Sequence, residues 1–382
     1  MMNKKVLHVV NISFVLPYYI GSQFDHFSDK GIQFYVACQP SDHFYSYSEE
    51  KKFKPIGVNI LREINVFEDL KAVYKLMAVI RTEHIDIVIG HTPKGGLIAM
   101  LAAFLSGITT RVYFRHGVMY ETSKGMKRFM LKNIERFTGL LANKVVCVSP
   151  SVLKLSDNEC LSAKHKNILL NKGTCNGIDA LSKFNKAELN IDALNVLKEK
   201  YNIDKDDRVI GFVGRLVNDK GISELLNAWK ELTTINSNIK LLLVGPLEER
   251  DGISIDLVTY IKTTPSIIYT GLQHDIAPYY GLMNIFILPS YREGFPTVVL
   301  EASAMELPIL TTRVTGCRDS IVENETGIFI DLDPLDICRK LNLYLNNKVL
   351  AQNHGQNGRN FVLKNFEEHK IWAEIQTKVF NF

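Results

Sequence analysis

Two glutamates stand with seven residues between them in the stretch YREGFPTVVLEA, residues 291–302. Glu293 follows an apolar run that predicts a strand, and it occupies the turn before Gly-Phe-Pro. Pro296 suits the first turn of a helix, which places Glu301 inside that helix. The backbone amides around Phe295–Thr297 would then be available to bind a phosphate.

A carboxylate that accepts two hydrogen bonds is well suited to a ribose diol. The spacing is therefore consistent with one nucleotide-sugar held at both ends, with Glu301 on the ribose and Glu293 near the transferred sugar. The alternative is that Glu293 is a turn residue and Glu301 a helix-face carboxylate. For isolated glutamates this structural alternative is the commoner one.

Two cations follow another expected strand, in GFVGRLVNDKG (211–221). The strand should end at Gly214, which leaves Arg215 and Lys220 in the loop before the next helix. Two positive charges beside a helix N-terminus favour a diphosphate, although a solvated loop with incidental charges is the alternative. The segment is neither a G-x-G-x-x-G fingerprint nor a P-loop, which disfavours a dehydrogenase.

Histidines occupy comparable positions in the first half of the chain. His116 in RHGVMYE follows an expected strand directly, and His91 in GHTPKGG has the same placement, with Lys94 and two glycines beyond it. A lone histidine is more often structural, but ligands of doubly wound domains bind beyond the carboxyl ends of the strands. His8 lies within a strand and is expected in the core.

The elements that would position these residues alternate between strand and helix, and the pattern occurs twice. In the first half we expect strands at 5–10, 32–38, 85–90, 111–115 and 144–149, with helices at 66–82, 95–106 and 123–142. In the second half we expect strands at 208–214, 239–245, 266–271, 284–290, 308–312 and 327–330, with helices at 221–235, 274–282, 297–306 and 334–347. Such alternation predicts an α/β protein with two Rossmann-like doubly wound domains.

Length and composition agree with two folded domains. The chain has 382 residues, of which 46% are hydrophobic and 23% charged. A Gly/Asn/Asp-rich stretch at 171–179 suggests domains at 1–170 and 171–365. Residues 1–170 carry 22 Lys and Arg against 14 Asp and Glu, whereas residues 171–382 carry 23 against 27. The halves are thus expected to meet different partners.

Neither a secretory signal nor a spanning helix is expected. The start of the chain lacks a small-residue cleavage site, and the longest apolar run, 95–108, is shorter than the roughly 20 residues that a spanning helix needs. The scattered single cysteines suggest a reducing, cytoplasmic compartment. The segment 123–144 mixes basic and large apolar residues, so it either lies on an anionic membrane surface or is an ordinary packed amphipathic helix.

Several motifs in order resemble the retaining glycosyltransferases of family 4: GFVGRL with DKG, then E-G-F-P-x-x-x-x-E, then TGCRDSIVENETGIFI. The resemblance covers almost all of the second half. It implies the glycosyltransferase B fold, with two Rossmann-like domains facing across a cleft and a C-terminal helix (366–382) that packs back on the first. HTPKGGLIAMLAA, RHG and TGCRD are similar to a subgroup that extends undecaprenyl-diphosphate-linked sugars for bacterial capsule, O-antigen or glycoprotein glycans.

The resemblance also implies roles for individual positions. The catalytic group would be His116, Glu293, Arg215 and Lys220. Donor binding would fall to Gly214, Arg215, Lys220, Gly294, Phe295, Pro296, Thr297 and Glu301. Acceptor binding is expected at His91, Lys94 and Gly21 in the basic half. The family's Gly-Gly turn after the first strand is reduced here to Gly21 alone, which puts the role of that loop in doubt.

The expected reaction moves a hexose or N-acetylhexosamine, with retention, from a nucleotide-sugar to a lipid-diphosphate-linked saccharide. UDP is the expected nucleotide and GDP the alternative. No D-x-D appears where a metal-dependent transferase needs one, so we expect neither a metal nor a cofactor. Competing interpretations are a nucleotide-sugar epimerase or hydrolase of the same fold and a non-catalytic nucleotide-sugar-binding paralogue. A nucleic-acid partner is disfavoured, because the basic residues form no recognised motif.

Overall fold

The computed structural model describes residues 4–61, 65–248 and 252–381. The chain divides into two compact units, one made of residues 1–177 and 369–382 and the other of residues 178–368. Each unit is built around one sheet whose paired strands are all parallel.

Over residues 4–61 and 65–177, the first unit has seven strands and seven α-helices. The strands are β1 (Lys4–Val9), β2 (Ile32–Cys38), β3 (Lys54–Gly57), β4 (Ile87–His91), β5 (Thr110–Arg115), β6 (Lys144–Cys147) and β7 (Asn167–Leu169). The helices are α1 (Leu16–Tyr19), α2 (Gln23–Ser28), α3 (Asp42–Lys51), α4 (Val66–Thr82), α5 (Pro93–Leu105), α6 (Gly125–Leu141) and α7 (Pro150–Asn158). The strand order is β3-β2-β1-β4-β5-β6-β7.

Outside residues 249–251, the second unit repeats this plan with six strands. They are β8 (Arg208–Val213), β9 (Ile239–Val244), β10 (Ile267–Gly271), β11 (Ile285–Leu288), β12 (Ile309–Thr312) and β13 (Gly327–Ile330), in the order β10-β9-β8-β11-β12-β13. The helices are α8 (Ile191–Lys200), α9 (Ile222–Ile235), α10 (Ile255–Thr263), α11 (Ala277–Leu282), α12 (Thr297–Ala304), α13 (Cys317–Ser320), α14 (Pro334–Asn346) and α15 (Lys348–Asn365). The chain then ends in α16 (Glu368–Ile375) and a π-helical turn.

The order of strands in both sheets has the same functional consequence. Each sheet runs outward from its first strand in one direction and then restarts on the other side with its fourth, so the chain changes direction between β1 and β4 and between β8 and β11. In open parallel sheets, ligands bind beyond the carboxyl ends of the strands at this switch point.

Local sequence explains why these segments form strands and helices. Strand β4 reads IVIGH, and all five of its residues are buried because helices cover both faces of the sheet. Helix α4 begins at its N-cap Asn65, whose side chain accepts a hydrogen bond from the Glu68 amide. Its apolar residues recur at helical spacing, so that Ala72, Leu76 and Ile80 face the core.

The predicted fold class is confirmed, with two α/β units and parallel sheets. The sequence analysis did not predict the edge strands β3 and β7, nor helices α1, α2, α3, α7, α10, α13 and α15. The sequence analysis placed the domain boundaries between residues 170 and 171 and between residues 365 and 366. In the structure the boundaries of the two units fall between residues 177 and 178 and between residues 368 and 369.

The C-terminal segment contacts the first unit through side chains and backbone. The Trp372 indole donates a hydrogen bond to the Asn176 carbonyl (2.9 Å), and the Lys4 ammonium donates to the Phe380 carbonyl (2.7 Å). Phe380 is buried and packs edge-on against Phe27.

No helix within the described ranges is both long enough and apolar enough to cross a membrane. The longest apolar run of the sequence falls largely in α5, where most of its residues are buried.

Candidate functional site

An ion pair between Lys220 and Glu293 lies at the switch point of the second sheet. Lys220 ends a short 3₁₀ turn after β8, and Glu293 lies in the loop after β11. The Lys220 ammonium donates a hydrogen bond to Oε1 of Glu293, and the Ser290 hydroxyl donates to the same oxygen (2.8 Å). Both charged side chains are largely shielded, with exposed fractions of 19% and 13%.

Gly221 allows the Lys220 turn to approach the neighbouring strand end. Its φ is +67°, and a Cβ at this position would stand 1.9 Å from the Pro289 carbonyl oxygen. Any larger residue would therefore have to displace the backbone next to Ser290. This close approach is the local reason why residues 73 positions apart in sequence, Lys220 and Glu293, meet.

The second predicted cation, Arg215, is less shielded. Its side chain is 44% exposed and forms an ion pair with Glu248 (2.8 Å). An exposed pair of this kind contributes roughly 0–1 kcal/mol, because water and salt screen it. A ligand with a higher negative charge can therefore compete with Glu248 for the guanidinium at little cost.

The loop after β11 leads into the N-terminus of α12. Pro296 is the N-cap residue and no side chain caps the helix, so amides of its first turn have no partner inside the helix. Gly316 of the TGCRD stretch lies against this loop, since a Cβ there would stand 2.4 Å from the Gly294 carbonyl oxygen. The two loops thus form one backbone surface, to which Phe295 and Thr297 also belong.

Glu301 is buried within α12, with 5% of its surface exposed. The Tyr280 hydroxyl of α11 donates a hydrogen bond to Oε2 of Glu301 (2.8 Å). Burial raises the pKa of Glu301 to about 7, while the Tyr280 hydrogen bond and the positive charge of Lys183 lower it. At neutral pH the group is therefore poised between the carboxylate and the protonated acid.

Three histidines form a continuous chain in the first unit. Nδ1 of His8 lies 3.0 Å from Nε2 of His91, and Nδ1 of His91 lies 3.0 Å from Nε2 of His116. The rings come from the carboxyl ends of β1, β4 and β5, which are neighbours at the switch point. The ring of Tyr19 stacks on His116 with centroids 3.7 Å apart and an interplanar angle of 9°.

Burial keeps these imidazoles neutral at physiological pH. It lowers the pKa of His8 and the pKa of His116 to about 3. It also lowers the pKa of His91 well below the ordinary value, and the neighbouring histidines add to that shift. Each ring therefore has one nitrogen that donates and one that accepts a hydrogen bond.

The backbone next to His91 is strained. Thr92 has φ +64° and ψ 154°, a conformation that is unfavourable for a β-branched residue. Its hydroxyl caps α5 by accepting a hydrogen bond from the Gly95 amide (3.3 Å). Such strain is concentrated at functional sites, where the surrounding structure holds it in place.

The residues predicted to bind the acceptor are engaged within the first unit. His91 is 1% exposed and has another imidazole at each ring nitrogen. The Lys94 ammonium pairs with Asp69 (2.8 Å), and both side chains are mostly shielded. Gly21 has φ +51°, and a Cβ there would stand 2.5 Å from the Pro17 carbonyl oxygen. Their role in acceptor binding stays a prediction.

The predicted donor residues therefore group at the carboxyl ends of the strands in the second unit. The predicted histidines group at the carboxyl ends of the strands in the first. Four contributors were not predicted as site residues: Ser290, Tyr280, Tyr19 and His8. Ser290 ends a predicted strand, so the strand-end rule applied to every polar residue would have found it, whereas His8 lies two residues before the end of its predicted strand. Within the described residues, no group of three or more His, Cys, Asp or Glu has the geometry to hold a metal ion.

Comparison with known families gives two matches that together span most of the chain. Residues 195–361 match the profile described as "Glycosyl transferases group 1", and residues 19–158 match "Glycosyltransferase Family 4". The first match contains Arg215, Lys220, Glu293 and Glu301, and the second contains His91 and His116.

Curated relatives and a solved structure extend over similar lengths. The capsular polysaccharide biosynthesis glycosyltransferase CapM of Staphylococcus aureus is 33% identical over 379 residues, covering 99% of this chain and 97% of the relative. The UDP-Gal:α-D-GlcNAc-diphosphoundecaprenol α-1,3-galactosyltransferase of Escherichia coli is 26% identical over 79% of this chain and 76% of its own. Anabaena HepE, solved with UDP-glucose, has a TM-score of 0.80 at 15% identity, covering 99% of this chain and 100% of that one. This last likeness concerns the fold alone.

Proposed function

Since the chain belongs to the glycosyltransferases of family 4, we propose that it transfers a hexose or N-acetylhexosamine from a UDP-sugar to a lipid-diphosphate-linked saccharide. The setting we propose is capsule- or O-antigen-type glycan assembly. The observation that carries the proposal is the Lys220–Glu293 pair beside the uncapped N-terminus of α12. The diphosphoundecaprenol acceptor in the name of the Escherichia relative supports the acceptor class, and the capsular polysaccharide biosynthesis in the name of the Staphylococcus relative supports the setting.

In this proposal the donor diphosphate binds at the switch point of the second sheet. Lys220 and Arg215 supply positive charge, and the first-turn amides of α12 supply hydrogen bonds. Both cations are paired with carboxylates in the structure, so the site carries little net charge before a ligand binds. Binding of the diphosphate exchanges the weak Arg215–Glu248 pair for a stronger contact with a doubly charged group.

The two glutamates bind the two remaining parts of the donor, the ribose and the transferred sugar. Glu301 accepts hydrogen bonds from the ribose diol, while the Tyr280 hydroxyl holds its carboxyl group in place. Glu293 contacts the transferred sugar and remains oriented by Ser290 and Lys220. From the first unit, His116 is the residue that we propose to contact the transferred sugar.

We propose that transfer proceeds with retention by attack on the same face of the sugar. The bond between the anomeric carbon and the diphosphate oxygen breaks, and the acceptor oxygen forms its bond to that carbon. The proton of the acceptor hydroxyl passes to the departing diphosphate oxygen. Lys220, Arg215 and the α12 amides stabilise the negative charge that develops on the leaving group, which is work that a metal ion does in other transferases.

A surface of α4, α5 and α6 is suited to the membrane on which a lipid-linked acceptor would lie. Helix α5 packs between the other two, and all three expose large apolar side chains. These side chains are Phe67, Leu70 and Tyr74 on α4, Phe104 and Leu105 on α5, and Met126, Phe129, Met130, Phe137 and Leu140 on α6. Exposed Lys124 and Lys127 stand at the start of α6. We propose that this surface docks on anionic lipid.

A donor panel tests the proposal most directly. UDP- and GDP-linked glucose, galactose, N-acetylglucosamine and N-acetylgalactosamine are each incubated with the protein, and slow hydrolysis and the shift in melting temperature are measured. We expect a UDP-sugar to raise the melting temperature of the protein. Without an acceptor the UDP-sugar should be hydrolysed only slowly, and it should be consumed faster once a lipid-diphosphate acceptor is added. Failure of every nucleotide-sugar to bind would overturn the proposal, and rapid turnover without acceptor would favour an epimerase or hydrolase.

A further inference from the structure

The chain His8–His91–His116 has a property that the proposed transfer reaction does not by itself require. Two hydrogen bonds, each 3.0 Å long, join three neutral rings in a row. A neutral imidazole cannot donate from both nitrogens or accept at both. The two hydrogen bonds must therefore run in the same direction, and only two arrangements of the protons are possible.

The surroundings of His8 distinguish the two arrangements. His8 is 3% exposed, and its Nε2 has no hydrogen-bond partner within the described part of the chain. The rings next to it belong to Phe24 and Phe34, which offer no conventional acceptor. If the protons ran from His116 towards His8, Nε2 of His8 would be a buried N–H without an acceptor, which is rare in proteins.

The opposite direction avoids that buried N–H group. His8 then donates from Nδ1 to His91, and His91 donates from its own Nδ1 to Nε2 of His116. The unpaired Nε2 of His8 carries no proton. At the other end of the chain, the proton of His116 must lie on Nδ1.

We infer that His8 and His91 are positioning residues that fix the tautomer of His116, with Nδ1 as its hydrogen-bond donor. This inference rests on the proposed function, in which His116 contacts the transferred sugar. A ring held in this tautomer donates to a sugar hydroxyl and cannot accept a proton at Nε2 without breaking its bond to His91. His116 is thus a fixed donor and not a general base.

Packing supports a fixed orientation for each ring. Tyr19 stacks on His116 with centroids 3.7 Å apart, and Phe114 stacks on His91 with centroids 5.0 Å apart. A ring flip of His91 would exchange its nitrogens for carbons and break both hydrogen bonds. The hydrogen bonds and the stacking contacts therefore favour the same ring orientation.

The tautomer can be measured without activity. The full-length protein is labelled with ¹⁵N in its histidine rings, and two-bond proton–nitrogen correlations identify the protonated nitrogen of each ring at neutral pH. Signals of His116 are assigned from their loss in His116→Gln. We expect a protonated Nδ1 and an unprotonated Nε2 in His116, and the opposite pattern in the native protein would overturn the inference.

Two substitutions of His8 test the control over His116. In His8→Asn the amide nitrogen takes the place of Nδ1 and keeps the donor, so the tautomer of His116 should be unchanged. His8→Asp places an acceptor-only carboxylate at this position, so His91 should donate to it from Nε2 and the tautomer of His116 should reverse to a protonated Nε2. An unchanged tautomer in a folded His8→Asp protein would contradict the inference.

Kinetics with the UDP-sugars of the panel give a second measurement. We expect His8→Asp to lower kcat for donor turnover about tenfold, short of the roughly 100-fold that loss of a transition-state donor causes, with KM changed less than about twofold. His8→Asn should restore kcat. A lack of turnover by the native protein would count against the proposed function, whereas the NMR measurement decides the tautomer independently.

Discussion

Replacement of Glu301 by glutamine should stabilise the protein at alkaline pH and have little effect at acidic pH. Glutamine has almost the same shape as the carboxyl group and can still accept the Tyr280 hydrogen bond. It removes the charge that burial disfavours. Because the pKa of Glu301 is raised to about 7, folding favours its protonated form, and the native protein loses stability as pH rises from the unfolded pKa through the folded one.

The size of the effect follows from the two pKa values. A carboxyl group that titrates near 4.5 when unfolded and near 7 when folded destabilises the folded state by about 1 kcal/mol at about pH 5. The same shift corresponds to about 3 kcal/mol at about pH 8. The difference in unfolding free energy between Glu301→Gln and the native protein should therefore increase by about 2.5 kcal/mol over this range. For a unit of this size, that corresponds to about 5–10 °C in melting temperature.

Thermal unfolding of both proteins across this pH range measures the effect. The matched control is Glu231→Gln on the exposed face of α9, which should show no such pH dependence. A melting-temperature difference that stays constant with pH would refute the argument that the Glu301 carboxylate is desolvated. Glu301→Gln should also bind UDP more weakly. A carboxylate can accept hydrogen bonds from both ribose hydroxyls, whereas an amide has only one oxygen with which to accept them.

Four further outcomes are expected. Lys220→Ala and Glu293→Ala should each leave one shielded charge unpaired, so both should lower the melting temperature but still fold, and each should lower kcat for sugar transfer about 100- to 1,000-fold. Lys230→Ala should transfer sugar normally, and full turnover by either of the first two variants would contradict the site. Glu248→Gln should increase UDP affinity about two- to fivefold by releasing Arg215, as measured by calorimetry, and a loss of affinity would contradict that role. Treatment with EDTA should leave the transfer rate unchanged, and a rate restored only by added metal would overturn the metal-independent proposal. Phe129→Glu should weaken flotation with phosphatidylglycerol vesicles about tenfold or more, and native protein that fails to float at low salt would end the membrane proposal.

The central strands were predictable because both faces of each are buried. Segments such as LLLV and IFIL are short, continuous apolar runs, and they lie in the central strands β9 and β11 as expected. The edge strand β3 has the sequence KPIG, with a proline and an exposed lysine. Proline is tolerated in an edge strand because no neighbouring strand needs its missing N–H group. The local sequence pattern of KPIG therefore gives no indication of a strand.

Helix α15 shows a different reason for a missed element. Its sequence contains two glycines and many asparagines, a composition typical of loops. In the structure Gly355 lies so close to the Glu306 carbonyl that a Cβ would stand 2.1 Å from its oxygen. The glycine allows close helix packing, a tertiary requirement that local sequence does not reveal.

The candidate site was predictable where its functional residues follow a predicted strand. Lys220 and Glu293 were expected in loops that follow two predicted strands, and the structure brings them together. The histidine chain was not predicted as a unit, because His8 was assigned to the core and His91 to acceptor binding. Their contact depends on the pairing of β1 with β4 and of β4 with β5, which the sequence does not specify without the strand order.

The contacts of the C-terminal segment impose an order on biosynthesis. The first unit receives residues 369–382 only after the whole second unit has been translated. Until then Phe27 lacks the Phe380 ring and the Asn176 carbonyl lacks the Trp372 indole, so apolar surface of the first unit stays open on the ribosome. A chain truncated after residue 368 would keep the whole second unit and leave the first without its C-terminal segment.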